Sequence, residues 1–125
     1  MENETSETKI GIGSEEFVSL KAAPVLLKSI NIETKGDKGS KIAVFLCKHP
    51  EKDELIHISR VKYENKGVLE TVGLWINKDT KGLIRKGSAL AVFLQFNNGK
   101  ILDDLLNKVI MTTTDEKGYL CFKAY

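Results

Sequence analysis

The residues of this sequence best suited to chemistry are cations interleaved with flat side chains. Arg60, Lys62 and Tyr63 stand together, and Trp75, the sole tryptophan, is followed by Lys78, Lys81, Arg85 and Lys86. Lys41 and Lys48 flank an apolar run and could extend a cationic path. A single nucleic-acid strand is held by such a set: cations neutralise phosphates, and aromatic faces stack bases. Tyr119 and Tyr125 are further aromatics, though their place in a closing strand suits rim packing. The bland alternative is equally concrete. Lysine-rich loops are ordinarily solvated, and a tryptophan more often packs than stacks. The expectation to test is therefore an exposed Trp75 with cations around it.

Catalytic and metal chemistry find little support. Asp103 and Asp104 are adjacent carboxylates in an expected helical turn, and neighbours on a helix do not face each other. That suits capping or solvation better than paired acid–base work. His57 lies between Ile56 and Ile58 on an expected strand, and with the nearby Ser59 it makes no recognisable nucleophile motif. The glycine-containing stretches 11–13 and 36–40 lack the Gly-Lys-Ser/Thr ending of a phosphate loop. His49, His57, Cys47 and Cys121 lack zinc-ligand spacing. No catalytic residue, cofactor or metal is expected. Both cysteines sit in apolar runs, so buried free thiols are expected rather than a disulfide.

The chain of 125 residues is long enough for one core. No apolar run approaches a membrane span, and the polar, acidic start is unlike a secretory signal, so a cytoplasmic protein is expected. The formal net charge of +2 conceals an asymmetry. Residues 1–16 carry five Glu and one Lys, net −4, which leaves +6 for the remainder. Residues 1–13 read as a flexible acidic tail and 14–125 as the folded domain. A basic body is compatible with a polyanionic partner.

Positioning elements follow from periodicity and turn chemistry. Strands are expected over 25–34 and 41–48, joined by the Gly-rich turn 35–40. The second is almost continuously apolar, hence central. In the next strand, 55–63, Ile56 and Ile58 have one parity while Val61 and Tyr63 have the other. Either a bulge near Ser59 switches the phase or Tyr63 is exposed. Residues 68–76 alternate so that Val68, Val72, Leu74 and Ile76 point in and Thr71, Gly73 and Trp75 out, and 77–86 reads as a loop of net charge +3. Ser88 can cap a helix over 89–96, apolar nearly all round and therefore buried. A short helical turn near 101–106 precedes strands 108–114 and 119–125, joined by the turn 115–118.

Five short antiparallel strands avoid open edges by closing into a barrel, with the helix as an end plug. The expected fold is thus mainly β: a small oligonucleotide/oligosaccharide-binding (OB)-like antiparallel barrel with its principal helix between the third and fourth strands. The stretches GLIRKGSALAVFLQF, ILDDLLNKVIMTT and KGYLCFKAY resemble the C-terminal part of small phage- and archaea-type OB-like proteins. In that group a leucine–acidic–leucine entry leads into the fourth strand, here Leu102 to Val109, often with Gly where this chain has Asn107. Asn also tolerates positive φ. The resemblance implies a single-stranded nucleic-acid binder of a virus, mobile element or replication system. The function expected is non-catalytic, sequence-tolerant binding of single-stranded DNA or RNA. The alternative is an interaction or assembly module that forms a homodimer through helix 89–96, with Phe93 or Phe96 exposed.

Overall fold

A computed structural model describes residues 20–125. The acidic segment read over residues 1–13 lies outside the described residues.

The fold is mainly β with one α-helix, and its sheet curls into a half-barrel. The strands are β1 (Val25–Lys35), β2 (Ser40–Lys48), β3 (Ile56–Ile58), β4 (Arg60–Asn65), β5 (Val68–Gly73), β6 (Val109–Ile110), β7 (Thr112–Thr114) and β8 (Leu120–Ala124). Helix α1 (Ala89–Phe96) and a 3₁₀ turn (Leu102–Leu105) lie between β5 and β6. One sheet has the order β3-β2-β1-β6, the other β5-β4-β8-β7. Every pairing is antiparallel except β4 with β8.

The strand read over 55–63 is divided at Ser59 into β3 and β4. Ile58 and, beyond the break, Val61 and Tyr63 are all buried. Of the two readings left open by the parity, the phase switch is the one observed, and it places Tyr63 in the core. Past Gly73 the chain continues beside β2: the Ala43 N–H donates to the Leu74 carbonyl (2.9 Å) and the Ile76 N–H to the Lys41 carbonyl (2.9 Å). Leu74 is buried and Trp75 exposed, as the alternation read for this stretch has it, but Val68, expected to point in, is exposed because it pairs with Asn65 at the turn end of the β4–β5 hairpin.

Helix α1 starts where Ser88 Oγ accepts the Ala91 N–H at 3.2 Å. Its Phe93 ring stacks on Phe122 of β8 (centroids 4.6 Å apart) and meets Phe45 of β2 edge-on at 5.5 Å. Burying each such ring is worth about 1.5–3 kcal/mol, and each well-placed pair adds about 0.5–1.5 kcal/mol. Phe93 therefore pins the helix to the sheets and is buried, which removes it from any dimer surface; Phe96 is exposed. Asn107, at the entry to β6, has φ +66, the left-handed conformation anticipated for it.

His49 closes the chain's first described residues onto the end of β2. It is fully buried, with Nε2 2.8 Å from the Lys21 carbonyl and Nδ1 accepting the Glu51 N–H at 3.0 Å. These partners assign the neutral tautomer protonated on Nε2. Thr112 adds a second fastening: its hydroxyl donates to the Ala23 carbonyl at 2.6 Å and accepts the Ala23 N–H at 2.8 Å.

Candidate nucleic-acid interface

Trp75 is the centre of the site. Its backbone bridges Ile42 of β2. Its indole crosses Gly73: a Cβ built on Gly73 would fall 2.7 Å from Trp75 Nε1 and 3.3 Å from Ile42 Cδ1. The missing side chain is thus a cradle, and the ring rests in it with 38% of the residue exposed. In front lies a groove of about 400 Å³, walled by Lys35, Gly36, Asp37, Lys38 and Ser40 of the β1–β2 turn. Lys35 is paired with Glu33 at 3.6 Å, both exposed, a contact that solvent weakens.

Lys41 and Lys78 lie on the other side of the 74–76 segment. Lys41 holds Ile76 through its carbonyl, and both lysines are exposed and line a second groove directly behind the Trp75 strand. The segment 77–86, read as a loop, is a small hairpin. Lys78 bridges Ile84, the Asp79 N–H donates to the Leu83 carbonyl (2.8 Å), and the Arg85 N–H donates to the Asn77 carbonyl (2.7 Å). Asp79 Oδ1 organises the tip by accepting the N–H groups of Lys81 and Leu83 at 2.9 and 3.0 Å. Lys81 is exposed at that tip. The Arg85 guanidinium turns back to the Lys78 carbonyl at 3.0 Å. Lys86 opens onto a different groove, with Leu94, Gln95 and Lys100.

Three expected site residues are otherwise engaged. Tyr63 is only 8% exposed and belongs to the core, so no face is open to a base. Burial and the neighbouring Glu70 carboxylate push its hydroxyl pKa up. Arg60 Nη1 donates to Asp115 Oδ2 at 2.6 Å. The Asp115 side chain is 2% exposed and also accepts the N–H groups of Lys117 (2.8 Å) and Tyr119 (2.9 Å). Arg60 is the counter-charge of a buried turn carboxylate. Lys62 Nζ donates to the Thr114 carbonyl at 3.3 Å, tying β4 to β7. Tyr125 carries the Lys123 ammonium over its ring, 4.2 Å from the centroid.

The structure therefore sets Lys35 and Lys38, which sequence reading treated only as turn residues, in the groove beside Trp75, and Lys41 and Lys78 in the adjoining groove on the other side of the 74–76 segment. The available signal was the register: a strand pairing 74–76 with the start of β2 places the β1–β2 turn beside Trp75. Among the described residues no group of three or more His, Cys, Asp or Glu could hold a metal ion, and no helix is long and apolar enough to cross a membrane. Both cysteines are free and buried. No protein-family model, curated protein or solved structure matches this chain.

Proposed function

We propose that this chain binds single-stranded DNA or RNA non-catalytically and with little sequence preference, on an OB-like barrel. The barrel reading is supported by the sheet order β6-β1-β2-β3, in which a late strand returns beside the first as in a Greek key. It is supported further by β4–β8, which with the one-residue breaks at Ser59 and Met111 links the two sheets in one circuit of pairings. In OB folds the second and third strands and the β1–β2 loop commonly contact oligonucleotides. Here that region carries Trp75.

The observation that carries the reading is the cradled, part-exposed indole facing a turn with two lysines. A base stacked on Trp75 would gain about 1–3 kcal/mol. Its flanking phosphates would meet Lys38, Lys41 and Lys78, with Lys35 exchanging Glu33 for phosphate.

The sole tryptophan supplies the test. Titration with oligothymidylate or oligouridylate should quench its fluorescence saturably at low salt and much less at high salt. Trp75→Ala should weaken binding by about tenfold or more, as loss of one stacked base requires. Each phosphate neutralised on a single strand adds about 0.7 to the magnitude of the slope of log K against log salt, so the four lysines predict a slope of about −3. Absence of both quenching and a mobility shift would refute the proposal.

A further inference from the structure

Behind the Trp75 strand lies aliphatic surface that nucleic-acid contact does not explain. A groove of about 420 Å³ is lined by Ile32, Ile76, Ile84 and Leu102, with Lys41 and Lys78 at its rim. A second, of about 560 Å³, runs between the 77–85 hairpin and the 3₁₀ turn, over Leu83, Ile84, Ile101 and Leu102, with Lys100 and Asp103 beside it. Ile84 and Leu102 line both, so the two grooves adjoin and together make up a trough. Leu83 is 62% and Ile101 59% exposed. Contiguous apolar surface of this kind marks an interaction site. The rim is basic: Lys41, Lys78 and Lys100 face one acid, Asp103. Asp104 next to it is turned back on the N–H groups of Lys100 (2.8 Å) and Ile101 (3.1 Å).

We propose that this trough docks an acidic peptide segment of a partner protein. Aliphatic or aromatic anchors of that peptide occupy the Ile–Leu floor, and its carboxylates meet Lys41, Lys78 and Lys100. The floor has no aromatic face on which a base could stack, whereas a peptide Leu, Ile or Phe gains by leaving water in an apolar pocket. Charge complementarity selects an acidic segment over a neutral or basic one. The inference does not rest on base stacking, because Trp75 opens to the other groove, beside Lys35–Ser40.

The probe is a fluorescein-labelled peptide of alternating Glu and Leu, titrated with the full chain and followed by anisotropy. Binding should saturate, and it should be lost when Lys replaces Glu or Ser replaces Leu in the peptide. Leu83→Ser combined with Ile101→Ser should weaken it on the order of tenfold or more, as removal of anchor contacts does. Both positions are exposed, so the fold, checked by circular dichroism, should persist. Trp75→Ala should leave peptide affinity unchanged while lowering oligonucleotide affinity, which separates this proposal from the preceding one. Equal binding of all three peptides, or indifference to the Leu83/Ile101 double variant, overturns it. So does a dimer of the free chain that the double variant dissociates, which would make a second copy the occupant. Tighter peptide binding after Glu-to-Gln changes at 2, 4, 7, 15 and 16 would overturn it in favour of the chain's own N-terminal segment.

Discussion

Gly73→Ala perturbs Trp75 without touching it chemically. Gly73 has no positive φ, so its backbone accepts alanine. The new methyl carbon, however, would sit 2.7 Å from Trp75 Nε1, inside any tolerable contact. What must yield is the indole, whose Cδ1 is also crowded at 3.2 Å, because the nearest atom of another residue, Ile42 Cδ1 at 3.3 Å, is only tight. With Trp75 38% exposed, about three-fifths of it is covered. Full enclosure of an aromatic side chain removes about 150–250 Å² from water, so roughly 90–150 Å² is covered here. Losing half of that at about 25 cal/mol per Å² costs about 1–2 kcal/mol. The stiffer unfolded chain returns about 0.4–1 kcal/mol. The expected net loss is about 1 kcal/mol, measured by urea denaturation, with a red-shifted tryptophan emission in the folded protein. A displaced platform should also cost about 1.4 kcal/mol of base stacking, or tenfold in oligonucleotide affinity. In a double-mutant cycle the Gly73→Ala effect on affinity should vanish in a Trp75→Ala background. Unchanged emission and unchanged affinity in a folded Gly73→Ala protein would refute the cradle.

Tyr63→Phe should leave oligonucleotide affinity within about twofold of the parent, because the ring is buried; a loss comparable to Trp75→Ala would return Tyr63 to the site. Burial pushes the Cys47 thiol up to about 12 and the Cys121 thiol to about 11. Neither should react with a disulfide reagent at mildly alkaline pH until denaturant is added, and a rapid native-state equivalent would contradict their burial. Burial alone would raise the Asp115 carboxyl, but the Tyr119 N–H, Arg60 and the Lys117 N–H outweigh it, leaving its pKa below the ordinary value. A folded pKa below the unfolded value of about 3.9 gives stability that is complete above that pH and lost as pH falls through the folded pKa. Urea midpoints should therefore drop on acidification, and Asp115→Asn should flatten that drop; an identical acid limb in the variant would remove Asp115 as its source.

Local signals carried far in this sequence. Ser88 before an apolar run marked the start of α1, and the polar turn 115–118 marked the final hairpin, because capping and turn preferences depend on residues a few positions away. The parity conflict between Ile58 and Val61 located the Ser59 break but left its meaning open, since only packing decides whether Tyr63 faces in. The fate of Arg60 and Lys62 was not legible. Their partners, Asp115 and Thr114, lie 55 and 52 positions away and are brought close by the β4-β8-β7 order. His49 likewise showed no signal, because its acceptor at Lys21 lies 28 residues back. The +3 charge of 77–86 was visible, but not that Asp79 would spend its carboxylate on the hairpin tip and Arg85 its guanidinium on Lys78.

This division of the cations follows from burial. Asp115 sits inside the β7–β8 turn because its carboxylate can accept two backbone N–H groups there. Once enclosed, that charge requires a counter-charge, and a buried carboxylate left without one is strongly destabilising. Arg60, on the adjoining β4, supplies it with a fork that reaches from a part-exposed position. Lys62 is drawn to the Thr114 carbonyl on the same side of the sheet. Exposed cations outside these contacts, Lys38, Lys41, Lys78 and Lys81 among them, are the ones left for a ligand. They gather at the end of the fold where the β1–β2 turn, the 74–76 segment and the 77–85 hairpin converge. On the proposed readings, a polyanion drawn to that end would meet Trp75 on one side of the 74–76 segment and the aliphatic trough on the other. The two proposed ligands would thus share lysines and differ in whether a π-face or an apolar floor completes the contact.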